Sequence, residues 1–168
     1  AMQFETKTAQ ILHDEHMTVK LLLDKLESEV MNYKHGQLPA KDNRVLHALL
    51  GDLVAAIETE LFAHFDFEED EIFSLLAETG TSDMTTLLKE EHVVILPIAK
   101  DVCDVARNLR RNGYVTEPWN NFRLLALELI ERLSGHIEKE ELGLLPILDE
   151  LIDEAMDTKL AENYIMTP

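Results

Sequence analysis

The chain has one cysteine, Cys103, in 168 residues, so it has no internal disulfide and no cysteine-based zinc or iron–sulfur site. That scarcity points to a reducing compartment, and a cytoplasmic protein is expected. Basic residues are also few: 15 Lys and Arg against 33 Asp and Glu, a formal net charge of −18. The densest basic stretch is Arg107, Arg110 and Arg111. This is too little to neutralise a run of phosphates or to hold an anionic membrane surface, so neither nucleic acid nor membrane is expected as a partner. No apolar run approaches the roughly 20 residues that span a bilayer. Six Gly, five Pro and no strand-like alternation argue against a sheet.

Apolar residues in helical register are abundant. They make up 46% of the chain, enough for a packed core despite the acidity. Breaks fall at Gly36 with Pro39, at Gly80 with Thr81 and Ser82, and at Gly113 with Pro118. Each Gly suits the left-handed residue that follows a helix. Asp42, Ser82 and Thr116 are the expected N-caps, with Pro118 in a first turn. Helices are expected over about residues 5–34, 42–78, 83–111 and 117–150, with a short acidic helix after them. Short connections favour antiparallel neighbours. The expected fold is all-α, an up-down-up-down four-helix bundle with a short C-terminal helix, read as one domain over residues 1–168. No internal repeat is evident.

Each helix carries an apolar stripe stepping by three and four. The stripes run Leu12, His16, Val19, Leu23, Leu26, Val30; then Leu50, Leu53, Ile57, Leu61, His64, Glu68, Ile72, Leu75. The third is Leu88, His92, Ile95, Ala99, Val102, Ala106, Leu109. The fourth is Phe122, Ala126, Leu129, Leu133, His136, Glu140, Gly143, Ile147. A single His in a core is most often a satisfied imidazole. Four His and two Glu are harder to explain, because an unpaired buried carboxylate costs several kcal/mol and no Lys or Arg shares these stripes. A bound cation is the simplest compensation.

Register supports this reading. Antiparallel hairpins folding about residues near 41, 79 and 115 bring all six residues to one height. His64 with Glu68, and His136 with Glu140, stand at i, i+4, one turn apart on one helix face. A cation between the helices can meet one His from each and a carboxylate from two. So many imidazoles argue against calcium and magnesium and for a borderline metal. Each carboxylate can bridge two ions, giving eight protein donor atoms. The expected cofactor is two non-haem iron ions with a bridging oxo or hydroxo, with manganese or zinc as less favoured occupants.

The stretches Leu12-His13-Asp14-Glu15-His16, His64-Phe65-Asp66-Phe67-Glu68-Glu69, Glu90-Glu91-His92 and His136-Ile137-Glu138-Lys139-Glu140-Glu141 follow one another in the order found in the hemerythrin-like, or HHE cation-binding, family. The chain resembles that family over nearly its whole length. The resemblance implies a non-haem di-iron centre, with His16, His64, His92 and His136 as terminal ligands and Glu68 and Glu140 as bridging carboxylates. Oxygen-carrying members have a second His one turn after the third-helix His, where this chain has Leu96. They also close the fourth motif with an Asp five residues after its His, where this chain has Glu140 at four. The resemblance is therefore to the bacterial branch, and reversible oxygen carriage is not implied.

His13, one turn before His16, is a further candidate ligand or a rim residue. Glu60, Glu69 and Glu141 are candidate acceptors for imidazole N–H groups, with a solvated face as the plainer reading of each. Phe62, Phe65, Phe67 and Phe73 surround the second motif as core or pocket wall. Cys103 reads as a buried thiol, and Pro97 and Pro146 should kink or widen their helices. The leading function is to bind or sense a small ligand such as dioxygen, nitric oxide or peroxide, or to handle iron. One alternative is a di-iron enzyme that reduces peroxide or nitric oxide or delivers iron for cluster repair. It lacks a flavin or nicotinamide fingerprint and a Cys pair. The other alternative is a metal-free acidic helical interaction module. The sequence leaves the oligomeric state open.

Overall fold

A computed structural model describes residues 3–166. Five helical rods make up most of the described residues: α1 (Lys7–Met31), α2 (residues 44–77), α3 (Ser82–Asn112), α4 (residues 116–151) and α5 (Glu154–Met166). The first four pack in a ring, α1 on α2, α2 on α3, α3 on α4 and α4 back on α1. The last lies along α1. This is the expected bundle with its short C-terminal helix. Among the described residues no helix is long and apolar enough to cross a membrane.

Gly36, Gly80 and Gly113 have φ of 86°, 89° and 88°, and no other described residue has a positive φ. Gly113 ends α3, its N–H bonding the Leu109 carbonyl. The N-caps sit one residue earlier or later than expected. Asn43, not Asp42, caps α2, its side-chain oxygen accepting from the Leu46 N–H at 3.0 Å. Thr81, not Ser82, precedes α3, and its hydroxyl donates back to the Leu76 carbonyl at 2.6 Å. Val115, not Thr116, precedes α4 and makes no side-chain cap.

Two of the rods are not uniform. In α2, π-helical turns occupy Ala56–Leu61 and Glu68–Ile72, and α4 has one at Glu140–Leu144. The widened turns that begin at Glu68 and Glu140 are closed by Phe73 N–H to Glu68 C=O and Leu145 N–H to Glu140 C=O. The extra residue rotates the rest of the helix about its axis, so two adjacent residues face inward: Ile72 with Phe73, and Leu144 with Leu145. The expected stripes are corrected at these points. Leu76 is buried instead of Leu75, and Leu144, Leu145 and Leu148 replace Gly143 and Ile147. A strict 3.6-residue period cannot anticipate an inserted residue. Pro146 comes just after the α4 widening, where a missing N–H costs least. The continuous α3, which holds Pro97 without a break in its α-helical run, buries every residue of its expected stripe.

Two apolar cores result. The larger runs from Leu23, Leu53 and Phe65 to Leu109, Trp119 and Leu133. The smaller holds Ala9, Leu12, Phe67, Ile72, Phe73, Leu76, Leu88, Leu144, Leu145 and Leu148. Each fully buried Leu, Ile or Phe contributes about 1.5–3 kcal/mol. In every helix of the ring, the changeover from one core to the other falls at the His or His–Glu positions, so a polar layer lies between the two.

Candidate metal centre

His16, His64, Glu68, His92, His136 and Glu140 are all buried, with relative exposures from 0% to 4%. Their donor atoms form two groups: His16, His64, Glu68 and Glu140, and Glu68, His92, His136 and Glu140. Within each, all donor atoms lie within 4.8 Å of one another. The groups share both carboxylates. His16 Nε2 is 2.8 Å and His136 Nε2 3.0 Å from Glu140, while His64 Nε2 and His92 Nε2 are each 3.3 Å from Glu68.

The other ring nitrogen of each His is engaged by a carboxylate. Nδ1 of His16 meets Glu141 at 2.7 Å, that of His64 meets Glu15 at 2.9 Å, that of His92 meets Glu69 at 2.8 Å and that of His136 meets Glu91 at 2.8 Å. An anionic acceptor holds the proton on Nδ1 and turns the Nε2 lone pair inward. The centre is therefore a convergence of acceptors. His92 Nε2 and His136 Nε2 approach to 3.1 Å. His64 Nε2, both oxygens of Glu68 and one of Glu140 are buried without a hydrogen-bond partner among the described residues. Unsatisfied buried groups of this kind are costly and call for a counter-charge. The donor set fits a divalent or trivalent cation of borderline softness.

Protonation is the protein's own substitute for that charge. Burial pushes the His16, His64 and His136 imidazoles down, but the facing carboxylates outweigh it and raise all three, His136 to about 8. Burial likewise pushes Glu140 up, and its contacts with His136, His16 and His64 hold it well below the usual carboxylate range. Glu141 and Glu91 are lowered against burial, by His16 and His13 and by Lys139 and His136 respectively.

The arrangement repeats. Glu15-His16 and Glu91-His92 are 76 residues apart, and His64, Glu68, Glu69 and the adjoining π turn recur 72 residues later at His136, Glu140, Glu141 and their π turn. Each Glu-His helix gives its Glu to a His of one neighbouring helix and receives a Glu from the other neighbour. No repeat is evident in the sequence because the two halves share a pattern of chemistry, not a run of identical residues. Sequence reasoning offers Glu69 and Glu141 only as candidate imidazole acceptors, with a solvated face the preferred reading of each, and misses Glu15 and Glu91. Glu60 lies beside the site without a hydrogen bond to any of the four imidazoles. The signal available was the Glu directly before His in both α1 and α3.

His13 lies outside both donor groups and meets the other oxygen of the carboxylate that serves His16, Nδ1 to Glu141 Oε1 at 2.5 Å. Phe65 stacks flat on His92, centroids 3.7 Å apart, and Phe73 packs against the same ring at 5.5 Å. Phe67 instead stacks on Tyr164, and half-buried Phe62 sits under the Lys100 ammonium. Cys103 is buried in the larger core, its thiol pushed up to about 11 by burial. Beside the His16–His64 group lies a narrow pocket walled by Val19, Leu61, Phe65, Leu133 and Ile137, with Glu15 and Glu60 also lining it. It leaves about 10 Å³ to the centre of a water-sized molecule, room for one such molecule.

A family model described as the hemerythrin HHE cation-binding domain matches residues 7–148, most of the chain. No curated protein matches it. The chain belongs to the hemerythrin HHE cation-binding domain family.

Proposed function

We propose that this hemerythrin-family chain holds two metal ions, iron by preference, between its helices, and uses them to bind or sense a small ligand such as dioxygen, nitric oxide or peroxide. One observation carries this reading: two four-donor groups share Glu68 and Glu140 and no other residue. A single ion would need only one group. Two ions held side by side need the shared carboxylates, and each then has two imidazoles and two carboxylate oxygens. Iron held there would supply two redox-active ions with coordination positions left over for an outside molecule.

The protein's own residues set the terms. Glu15, Glu69, Glu91 and Glu141 fix the imidazole tautomers, so the rings need no reorganisation on loading. Phe65 and Phe73 cover His92 and keep that side dry. The apolar pocket beside His16 and His64 has room for one water-sized molecule, which favours a small ligand over a larger substrate. The unpaired acceptors count against the metal-free interaction module, since such a module would gain stability by replacing them.

The test is metal content per chain by elemental analysis after anaerobic loading with ferrous iron and removal of excess. About two irons are expected. One tightly held zinc or manganese, with no second ion under any loading, would overturn the two-metal reading. No bound metal at all would return the interaction module. Ligand binding is read from the loaded protein's absorption spectrum on adding nitric oxide or dioxygen, with no change counting against a sensing role.

A further inference from the structure

The geometry points to Tyr164, on the C-terminal helix, as a positioning residue that sets the His16–His64 half of the centre apart from the other half. This rests on the two-metal reading above. The Tyr164 hydroxyl donates to Glu15 Oε1 at 2.6 Å, and His64 Nδ1 donates to that same oxygen at 2.9 Å. One carboxylate oxygen therefore joins the C-terminal helix to a candidate metal ligand. In the repeated half the equivalent carboxylate, Glu91, is met by Lys139 of α4. The first two layers around the centre obey the repeat, and the third breaks it.

Tyr164 lies beyond residues 7–148, the stretch matched by the family model. Contacts on several sides hold it in place. Asp157, Leu160, Ala161 and Tyr164 keep the i, i+3, i+4, i+7 spacing of one helix face, and the first three are buried. Asp157 accepts from the Lys7 and Thr8 N–H groups at 2.9 and 2.8 Å and from the Thr8 hydroxyl at 2.8 Å. Asp157 to Thr8 and Tyr164 to Glu15 are both offsets of 149 residues, so α5 runs parallel to α1 in register. The Tyr164 ring also stacks on Phe67, centroids 4.4 Å apart, which ties it to α2. The phenol is held at both ends, and its hydroxyl has one task, to fix Glu15.

Fixing Glu15 fixes the His64 ring plane. Outer-layer partners of metal-bound imidazoles typically matter by about 10- to 100-fold in metal affinity. Tyr164 stands one bond further out, so about tenfold is expected, confined to one of two binding steps.

The experiment is a calorimetric titration of the metal-free full chain with cobalt(II), for the parent and for Tyr164→Phe. Phe keeps the stack on Phe67 and the helix face and removes only the hydroxyl. The parent should take up two ions. In the variant one step should weaken about tenfold, the other should stay, and the metal-free melting temperature should hold. The exchangeable imidazole N–H protons of the cobalt-loaded protein give a second readout by NMR. One of the shifted resonances should move in the variant and the rest stay. Unchanged steps and resonances would overturn the assignment. So would an equal weakening of both steps with a fall in melting temperature, which marks a merely structural contact. A parent chain that binds fewer than two ions would instead overturn the two-metal reading itself.

Discussion

Replacing Glu68 with Leu should raise the stability of the metal-free protein and lower that of the loaded one. Glu68 is fully buried, and neither of its oxygens has a hydrogen-bond partner. Leaving such a group unsatisfied costs about 1–3 kcal/mol, which an apolar side chain of similar size would recover. His64 is not left as a stranded cation. Burial already opposes its charge and Glu68 is the first influence supporting it, so removing Glu68 shifts the imidazole toward its neutral form. For a chain of this size 1 kcal/mol corresponds to about 2–4 °C, so the metal-free variant should melt about 2–12 °C higher. With metal the sign reverses. Both donor groups lose a shared donor and fall from four residues to three. A 100-fold weaker affinity removes about 2.7 kcal/mol of metal-linked stability, about 5–11 °C. The assay is thermal unfolding by circular dichroism at pH 8, with chelator and with saturating ferrous iron under argon. A metal-free variant that melts lower than the parent would refute the account of Glu68 as an uncompensated acceptor. A variant that gains as much from iron as the parent would refute its role as a shared ligand.

Three other outcomes are expected. Asp149→Ala removes acceptors from the Glu5 and Thr6 N–H groups and the Thr6 hydroxyl at the start of α1, and Asp157→Ala removes those serving Lys7 and Thr8. Each should cost about 1–2 kcal/mol in urea unfolding, as lost helix caps do, and a change under a few tenths would sink the capping assignment. The metal-free protein should be most stable between about pH 5 and 6.5. Glu140 is depressed below its ordinary 4.5, so its contribution is present above that value and lost as pH falls. His136 is raised from 6.5 to about 8, so its contribution is complete below 6.5 and lost as pH rises through 8. Bound metal, which takes the place of the protons, should abolish the alkaline decline of the urea midpoint, and an identical decline in loaded protein would contradict this. Gly135→Ala places a Cβ in open space within a helix and should stabilise by about 0.5–1 kcal/mol, a rise of about 1–4 °C; a fall would show a hidden steric conflict there.

Helices and the six central residues were legible in the sequence because both are written in local periodicity. A buried face needs apolar residues every three or four positions, and His16, His64, Glu68, His92, His136 and Glu140 interrupt that face where an isolated helix has no use for them. Symmetry of antiparallel hairpins even placed them at one height, since loop positions alone fix the register. What lies between helices was not legible. Glu15 and Glu91 sit beside stripe residues, about 100° around the helix, and only the neighbouring helix decides whether such a carboxylate meets an imidazole or water. The π turns after Glu68 and Glu140 have no compositional mark, yet they choose Leu76 over Leu75 and Leu148 over Ile147. Asp149 and Asp157 look like surface acids until α1 begins beside them, and Tyr164 looks like tail until α5 returns along α1. Periodicity belongs to a chain one helix at a time. Partnership across 23 to 149 residues of sequence is set by how the rods pack, and that was decided only in three dimensions.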